Sequence, residues 1–85
     1  MNKILIVEDE APIAKLVRTA LEGAGYRCVW ARDGAAAADR LEQESFDLAL
    51  LDIMLPGMDG YELLDYCRTL DVPVIFLTAK GALQD

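Results

Sequence analysis

The chain has 85 residues, of which 54% are hydrophobic and 27% charged, a composition typical of one globular domain or part of one. Its formal net charge of −7 argues against direct binding of nucleic acid or an anionic lipid surface, because phosphate binding requires a basic face. The sequence contains no His, which excludes Ser-His-Asp and Cys-His catalysis, His-ligated zinc and a phosphohistidine carried by this chain.

The compartment is predicted from three further features of the sequence. No apolar run approaches the roughly 18–20 residues of a membrane span. The apolar run at the amino terminus is cut short by acidic residues at positions 8–10, unlike that of a signal peptide. Cys28 and Cys67 form no CxxC pair and are best explained as two buried thiols. We therefore expect a cytoplasmic protein that neither enters nor binds a membrane.

The hydrophobic pattern alternates along the chain between short apolar runs and segments of helical periodicity. The short runs predict four buried strands, at residues 4–7, 28–31, 48–51 and 74–77. The first helix is predicted to begin at Ala11 and to end at Gly23 or Gly25. Its inner face is expected to hold Ile13, Leu16, Val17, Ala20 and Leu21.

Two further helices are predicted between the later strands. Asp33 is a good N-cap for a second helix that runs to about Glu44. Asp59 and Glu62 form a plausible capping box for a third helix. The inner stripe of this third helix is expected to hold Leu63, Leu64, Cys67 and Leu70, and Trp30 and these leucine stripes are expected in the core.

Strands that alternate with helices in this way predict a parallel sheet in an α/β fold with right-handed crossovers. After Leu77 the sequence reads as a loop and the start of a helix that has no partner element. We therefore expect residues 1–85 to form part of one domain, with no second domain in the chain.

Acidic side chains follow two of the predicted strands at the edge where ligands bind in a parallel sheet. Glu8 and Asp9 follow the first strand, Asp52 ends the third, and the hydroxyl of Thr78 follows the fourth. Carboxylates at such close range repel one another unless a cation lies between them. Oxygen donors without His suit Mg²⁺, and a carboxylate beside Mg²⁺ can attack a phosphoryl group.

Three segments carry a resemblance to a known family: residues 3–10, residues 47–60 and residues 73–80. They combine an acid pair after the first strand, Asp-x-x-x-Pro-Gly-x-x-Gly from Asp52, and Thr-Ala after the fourth strand. Together they look like the receiver domain of a two-component response regulator. Their sequences are most similar to those of receivers in the winged-helix transcription-factor subfamily. This resemblance implies a flavodoxin-like three-layer αβα sandwich with strand order 2-1-3-4, in which the family's fifth strand and last two helices are absent from this sequence.

The resemblance also implies a role for each matching residue. Asp52 matches the phosphoacceptor that takes a phosphoryl group from a sensor histidine kinase, and Thr78 matches the switch hydroxyl. Asp9, Asp52 and the backbone carbonyl of Met54 match the Mg²⁺ ligands, with Glu8 acting through water. The parent protein is expected to regulate transcription through a DNA-binding domain outside this chain. No enzymatic activity is expected beyond self-catalysed phosphotransfer and dephosphorylation.

A second class of function is a non-signalling receiver fragment that acts only by self-association or partner binding. The fourth strand would be an unpaired edge, which predicts a homodimer or a domain-swapped oligomer. Two other functions fit the sequence poorly. An Asp-x-Asp phosphatase requires an acid where Met54 stands, and a flavin site requires a Ser/Thr/Gly-rich loop where acids follow the first strand.

Overall fold

The computed structural model describes residues 2–52 and 60–77. Within these residues the chain forms four strands and three helices in strict alternation. Their bounds are β1 Lys3–Val7, α1 Ala11–Gly23, β2 Arg27–Ala31, α2 Gly34–Gln43, β3 Leu48–Asp52, α3 Gly60–Thr69 and β4 Val74–Leu77. The four predicted strands and the three predicted helices are confirmed to within about a residue or two. Asp59, the predicted cap of the third helix, lies outside the described residues.

The strands form one parallel sheet in the order β2-β1-β3-β4, which confirms the expected order. β1 lies in the middle, where Val7 is in register with Ala31 of β2 and with Leu51 of β3. This register brings the carboxyl ends of β1 and β3 side by side. Glu8, which follows β1, and Asp52, which ends β3, therefore lie at the same edge of the sheet.

One face of the sheet, which we call the closed face, is covered by α2 and α3. Its strand residues alternate with those of the other face, as the pleat of a strand requires. Leu63 and Cys67 of α3 and Leu41 of α2 pack on it and are buried. The closed face carries Leu5, Val7, Ala49 and Leu51, all buried.

The opposite face, which we call the open face, is covered by α1. Ile4, Ile6, Cys28 and Leu50 are buried here, and Val17 and Leu21 of α1 pack against them. Ile75 is in register with Leu50 on this face, yet 54% of its surface is exposed. Cover by the helix therefore does not reach β4 in the described part of the chain.

Four expectations about the core are corrected by the structure. Leu16 and Ala20 are exposed, Leu16 at 71%, because they lie on the side of α1 that faces away from the sheet. Leu70 is also exposed, because α3 ends at Thr69 and the chain turns there. Trp30 is half-buried rather than fully enclosed, and it packs against the residues of the open face.

The ends of two helices have clear local causes. The Asp33 carboxylate accepts a hydrogen bond from the Ala36 N–H at 2.8 Å, which confirms the predicted cap of α2. After α1, the chain turns through Gly25, whose φ of +99° is a conformation that favours glycine. Within residues 2–52 and 60–77, no helix has the length and apolar character needed to cross a membrane.

Candidate functional site

The candidate site lies at the carboxyl edge of the sheet, where β1 and β3 end beside each other. Glu8 directly follows β1 and is only 1% exposed, and Asp52 is the last residue of β3 and is also buried. These are the two buried charged residues among those the structure describes. Burying two carboxylates near one another costs free energy, so their placement indicates a functional rather than a structural role.

The short loop after β1 is held by hydrogen bonds at each end. The Glu8 N–H donates to the Ala31 carbonyl of β2 at 3.1 Å, which extends the ladder by one residue beyond β1. The Glu8 carboxylate accepts from the Glu10 N–H at 3.1 Å. The Glu10 carbonyl in turn accepts from the N–H groups of Ile13 and Ala14 in the first turn of α1. The loop is therefore tied to both the sheet and the helix.

This loop gathers three carboxylates into a small volume. One oxygen from each of Glu8, Asp9 and Glu10 lies within 4.8 Å of the others, with Glu8 buried and the other two side chains exposed. Burial raises the pKa of Glu8, and the negative charges of Asp52 and Asp9 raise it further. The hydrogen bond from the Glu10 N–H acts in the opposite direction. Glu8 thus lies in a strongly negative environment that a cation would relieve.

The donor set fits a hard divalent cation. Mg²⁺ prefers oxygen ligands and keeps several waters, so a cluster that is open on the side of Asp9 and Glu10 suits it. Softer metals would require nitrogen or sulfur ligands. The chain has no His, and both Cys28 and Cys67 are buried in the hydrophobic clusters.

The structure brings three of the residues singled out from the sequence to one edge of the sheet. Glu8 and Asp9 belong to the carboxylate cluster, and the charge of Asp52 acts on Glu8 across the gap between β1 and β3. Met54, with its expected carbonyl ligand, and Thr78 lie outside the described residues.

The structure also adds two residues that the sequence reasoning did not place in the site. Glu10 joins the cluster of carboxylate oxygens, although the sequence indicated it only as one of the acids that end the first apolar run. The indole N–H of Trp30 donates to the Glu8 carbonyl at 2.7 Å. Glu10 could have been found as the third consecutive acid after the strand, whereas no pattern in the sequence indicates the contact of Trp30.

Charges at the opposite edge of the sheet are arranged in a different way. The Lys3 ammonium forms an ion pair with Glu44 and lies 5.1 Å above the centre of the Phe46 ring. The Lys3 N–H donates to the Asp47 carboxylate at 2.8 Å. Lys3 lowers the pKa of Glu44, mainly through a hydrogen bond. At this edge Glu44 therefore has a cationic partner and Asp47 has a backbone donor.

Comparison with known proteins agrees with this fold. Residues 4–85 match the family model described as the response regulator receiver domain. Because the match spans nearly the whole chain, the chain belongs to the response regulator receiver domain family.

Among similar curated proteins is the phosphate regulon transcriptional regulatory protein PhoB of Pseudomonas aeruginosa. It is 48% identical over 82 residues, which cover 92% of this chain and 36% of PhoB. The regulatory protein VanRc of Enterococcus gallinarum is likewise 48% identical, over 94% of this chain and 35% of its own length. The chain thus spans about a third of the length of these relatives.

Solved receiver structures share the fold closely. The response regulator TrrA of Thermotoga maritima, in complex with Mg²⁺-BeF, superposes with a TM-score of 0.88 at 35% identity, over 95% of this chain and 72% of that one. In a second structure TrrA is bound to the histidine kinase ThkA, and the match has a TM-score of 0.86 at 33% identity, over 100% of this chain and 75% of that one.

Proposed function

We propose that this receiver domain accepts a phosphoryl group on Asp52. The observation that carries the proposal is the buried carboxylate of Asp52 at the end of β3, beside a loop that gathers Glu8, Asp9 and Glu10. A buried carboxylate next to other acids does not stabilise the fold, because burial and like charges both disfavour its ionised form. It is, however, well placed to act as a nucleophile beside a cation.

The proposed metal is Mg²⁺, held by Asp9, Asp52 and the backbone carbonyl of Met54, with Glu8 contributing through water. When bound, the ion would offset the charge that gathers on the phosphoryl oxygens. Glu8 stands closest to the hydrophobic interior and fixes the loop through its bond from the Glu10 N–H. Asp9 and Glu10 lie on the exposed side, where the ion would enter.

The chemical step proposed for Asp52 is a displacement at phosphorus. A carboxylate oxygen of Asp52 attacks the phosphoryl group of a phosphohistidine, and the bond from phosphorus to the imidazole nitrogen breaks. The electron pair stays on that nitrogen, which takes up a proton, and Asp52 becomes an acyl phosphate. In this proposal Thr78 then turns its hydroxyl toward a phosphoryl oxygen. The domain is a phosphoacceptor with self-catalysed transfer rather than an enzyme with a separate substrate.

The proposed phosphodonor is a sensor histidine kinase. The structure of TrrA with the kinase ThkA supports this choice, since this chain matches TrrA there with a TM-score of 0.86. We extend the proposal to the whole protein as a transcription regulator whose DNA-binding part lies outside this chain, because PhoB is named as a transcriptional regulatory protein. The net charge of −7 supports a domain that does not itself contact DNA.

We also propose a cytoplasmic location. It is supported by the two cysteines, which are free and buried on opposite faces of the sheet. Burial raises the pKa of both thiols, so that they remain protonated and unreactive.

The test is intact-mass measurement after incubation with a small-molecule phosphodonor such as acetyl phosphate, with and without Mg²⁺. We expect the gain of one phosphoryl group, dependent on Mg²⁺ and abolished in Asp52→Asn. The matched control is Asp47→Asn, which changes an exposed acid at the other end of β3 and should leave the gain intact. A folded protein that gains no phosphoryl group, or a gain that persists in Asp52→Asn, would contradict the proposal.

A second candidate function, self-association, is favoured by β4. Within the described residues, β4 is paired with β3 alone, and Ile75 on the open face is 54% exposed. Exposed apolar side chains on an edge strand favour pairing with another chain, as a homodimer or with exchanged elements. Light scattering over a wide concentration range should then show a dimer that Ile75→Lys dissociates. A monomer at every concentration would exclude this candidate.

A further inference from the structure

We propose that Trp30 is a positioning residue for the acidic loop, and that its indole N–H sets the affinity of the site for Mg²⁺. The bond that carries the inference joins the Trp30 Nε1 to the Glu8 carbonyl oxygen at 2.7 Å. Trp30 lies on β2, and Glu8 opens the loop that follows β1. The inference rests on the proposed metal site and adds a residue that acts on it from a neighbouring strand.

The first step in the argument is the backbone of Glu8. Its N–H donates to the Ala31 carbonyl and its carbonyl accepts from the Trp30 indole, so both polar groups are held by β2. The Glu8 carbonyl and the Asp9 N–H belong to one planar peptide group. A hydrogen bond to that carbonyl therefore fixes the plane from which the Asp9 side chain projects.

The second step is the packing of the indole ring itself. Trp30 is half-buried, and one side of it lines an open surface cavity of about 400 Å³ together with Ala11, Ala14, Lys15 and Arg18. The ring also packs against the buried residues of the open face, none of which belongs to the acidic loop. The short bond to the Glu8 carbonyl is the contact that holds the ring and the loop in one relative orientation.

The third step concerns the energetic consequence for a bound cation. Groups that orient metal ligands without touching the metal typically change its affinity by about 10–100-fold. Trp30 acts through the peptide group between Glu8 and Asp9 and not on a carboxylate, so we expect a loss of about tenfold when its donor is removed. The stability of the sheet should change little, since β1 keeps its ladders to both β2 and β3.

The experiment removes the N–H and keeps the shape of the ring. Trp30 is the single tryptophan of the chain, so replacement of tryptophan by 3-benzothienylalanine exchanges one N–H group for sulfur. The matched control is 5-fluorotryptophan, which retains the N–H. Mg²⁺ binding is measured by calorimetry on each form and on Asp9→Asn. Amide hydrogen exchange in β1 and β3 shows whether the sheet is intact.

The inference predicts that the benzothienyl form binds Mg²⁺ about tenfold more weakly, while the fluorotryptophan form matches wild type and exchange in the sheet is unchanged. Equal affinity in the two forms would overturn the role of Trp30 and leave the metal site standing. Loss of protection throughout β1 and β3 would also overturn it, because the bond would then support the whole sheet. Failure of the unmodified protein to bind Mg²⁺ would overturn both the metal site and this inference.

Discussion

The two faces of the sheet are built from alternate residues of the same strands, yet they are covered to different extents. On the closed face two helices bury every aliphatic strand residue from β1 and β3. On the open face one helix covers β1 and β2, and Ile75 of β4 remains more than half exposed. The strands place apolar residues on both faces of the sheet. The difference in burial therefore comes from the helices that cover each face and not from the strands.

The comparison separates stability from chemistry. The closed face holds most of the buried side chains, and burial of apolar surface is the main source of folding free energy. The open face is continuous with the site, because every second residue of β1 lies on this face and the next in that series is Glu8. Ile6 pairs in register with Trp30, and two residues beyond Ile6 the chain reaches Glu8. Side chains that serve the acidic loop therefore stand where packing is less complete.

The largest effect is expected when one apolar side chain on each face of the sheet is shortened to alanine. Leu63→Ala removes a side chain with no exposed surface from the closed face, and we expect a loss of about 2–5 kcal/mol in the free energy of unfolding. Ile75→Ala removes aliphatic atoms from a side chain of the open face that is 54% exposed, and we expect a smaller loss of about 1 kcal/mol. Urea unfolding followed by circular dichroism measures both.

Because a folded chain of 85 residues is only marginally stable, Leu63→Ala can unfold it completely. Leu63→Val then serves as the milder variant, with an expected loss of about 1 kcal/mol. Equal losses at positions 63 and 75 for the same replacement would show that the open face contributes as much as the closed face, and the division would be wrong.

A smaller effect is expected at the turn that returns the chain from α1 to β2 and so sets the helix on the open face. Gly25 has a φ of +99°, and an alanine there would be strained by about 1–2 kcal/mol although its Cβ would meet no atom within 4 Å. Gly23, the last residue of α1, has equal space and no positive φ, so Gly23→Ala should be neutral or stabilising by up to about 1 kcal/mol. Thermal unfolding measures the difference in stability between the two variants. Equal melting temperatures would show that the positive φ of Gly25 does not affect stability.

The sequence was sufficient to predict most of the fold because its signals are local. Continuous apolar runs located the strands, and Asp33 marked the start of α2 through a bond that its own side chain makes three residues along. Helical periodicity failed at Leu16 because it predicts which side of a helix is apolar. It does not predict how much of that side contacts the sheet. Leu70 failed for a related reason, since the periodicity continues past the residue at which α3 ends.

The site was predicted only where its residues follow strands. Glu8, Asp9 and Asp52 come directly at strand ends, and parallel topology alone brings strand ends together. The contact of Trp30 with the Glu8 carbonyl depends on the register between β1 and β2 and on a rotamer. Neither can be read from composition or spacing, so this contact required the structure.

The smallest effects are expected from pH, and they have opposite signs at two carboxyls. The pKa of Glu8, at the end of the open face, is raised above its ordinary value of 4.5, chiefly by burial. The folded state thus binds this proton more tightly than the unfolded state, and stability falls as pH rises through the interval above 4.5. The pKa of Glu44, beside Lys3 at the rim of the closed face, is lowered. Its contribution is present above 4.5 and is lost as pH falls through the lowered value.

Urea unfolding from acid to neutral pH, in the presence of a chelator, should therefore separate the two glutamates. We expect Glu8→Gln to become more stable than wild type as pH rises, and Glu44→Gln to become slightly less stable, with both differences disappearing in acid. Saturating Mg²⁺ should reverse the sign for Glu8→Gln alone, because a cation favours the charged carboxylate. If Glu8→Gln gave no gain without Mg²⁺ and no loss with it, the negative charge at the carboxyl edge would have no energetic consequence. The contrast between the two faces would then concern packing alone.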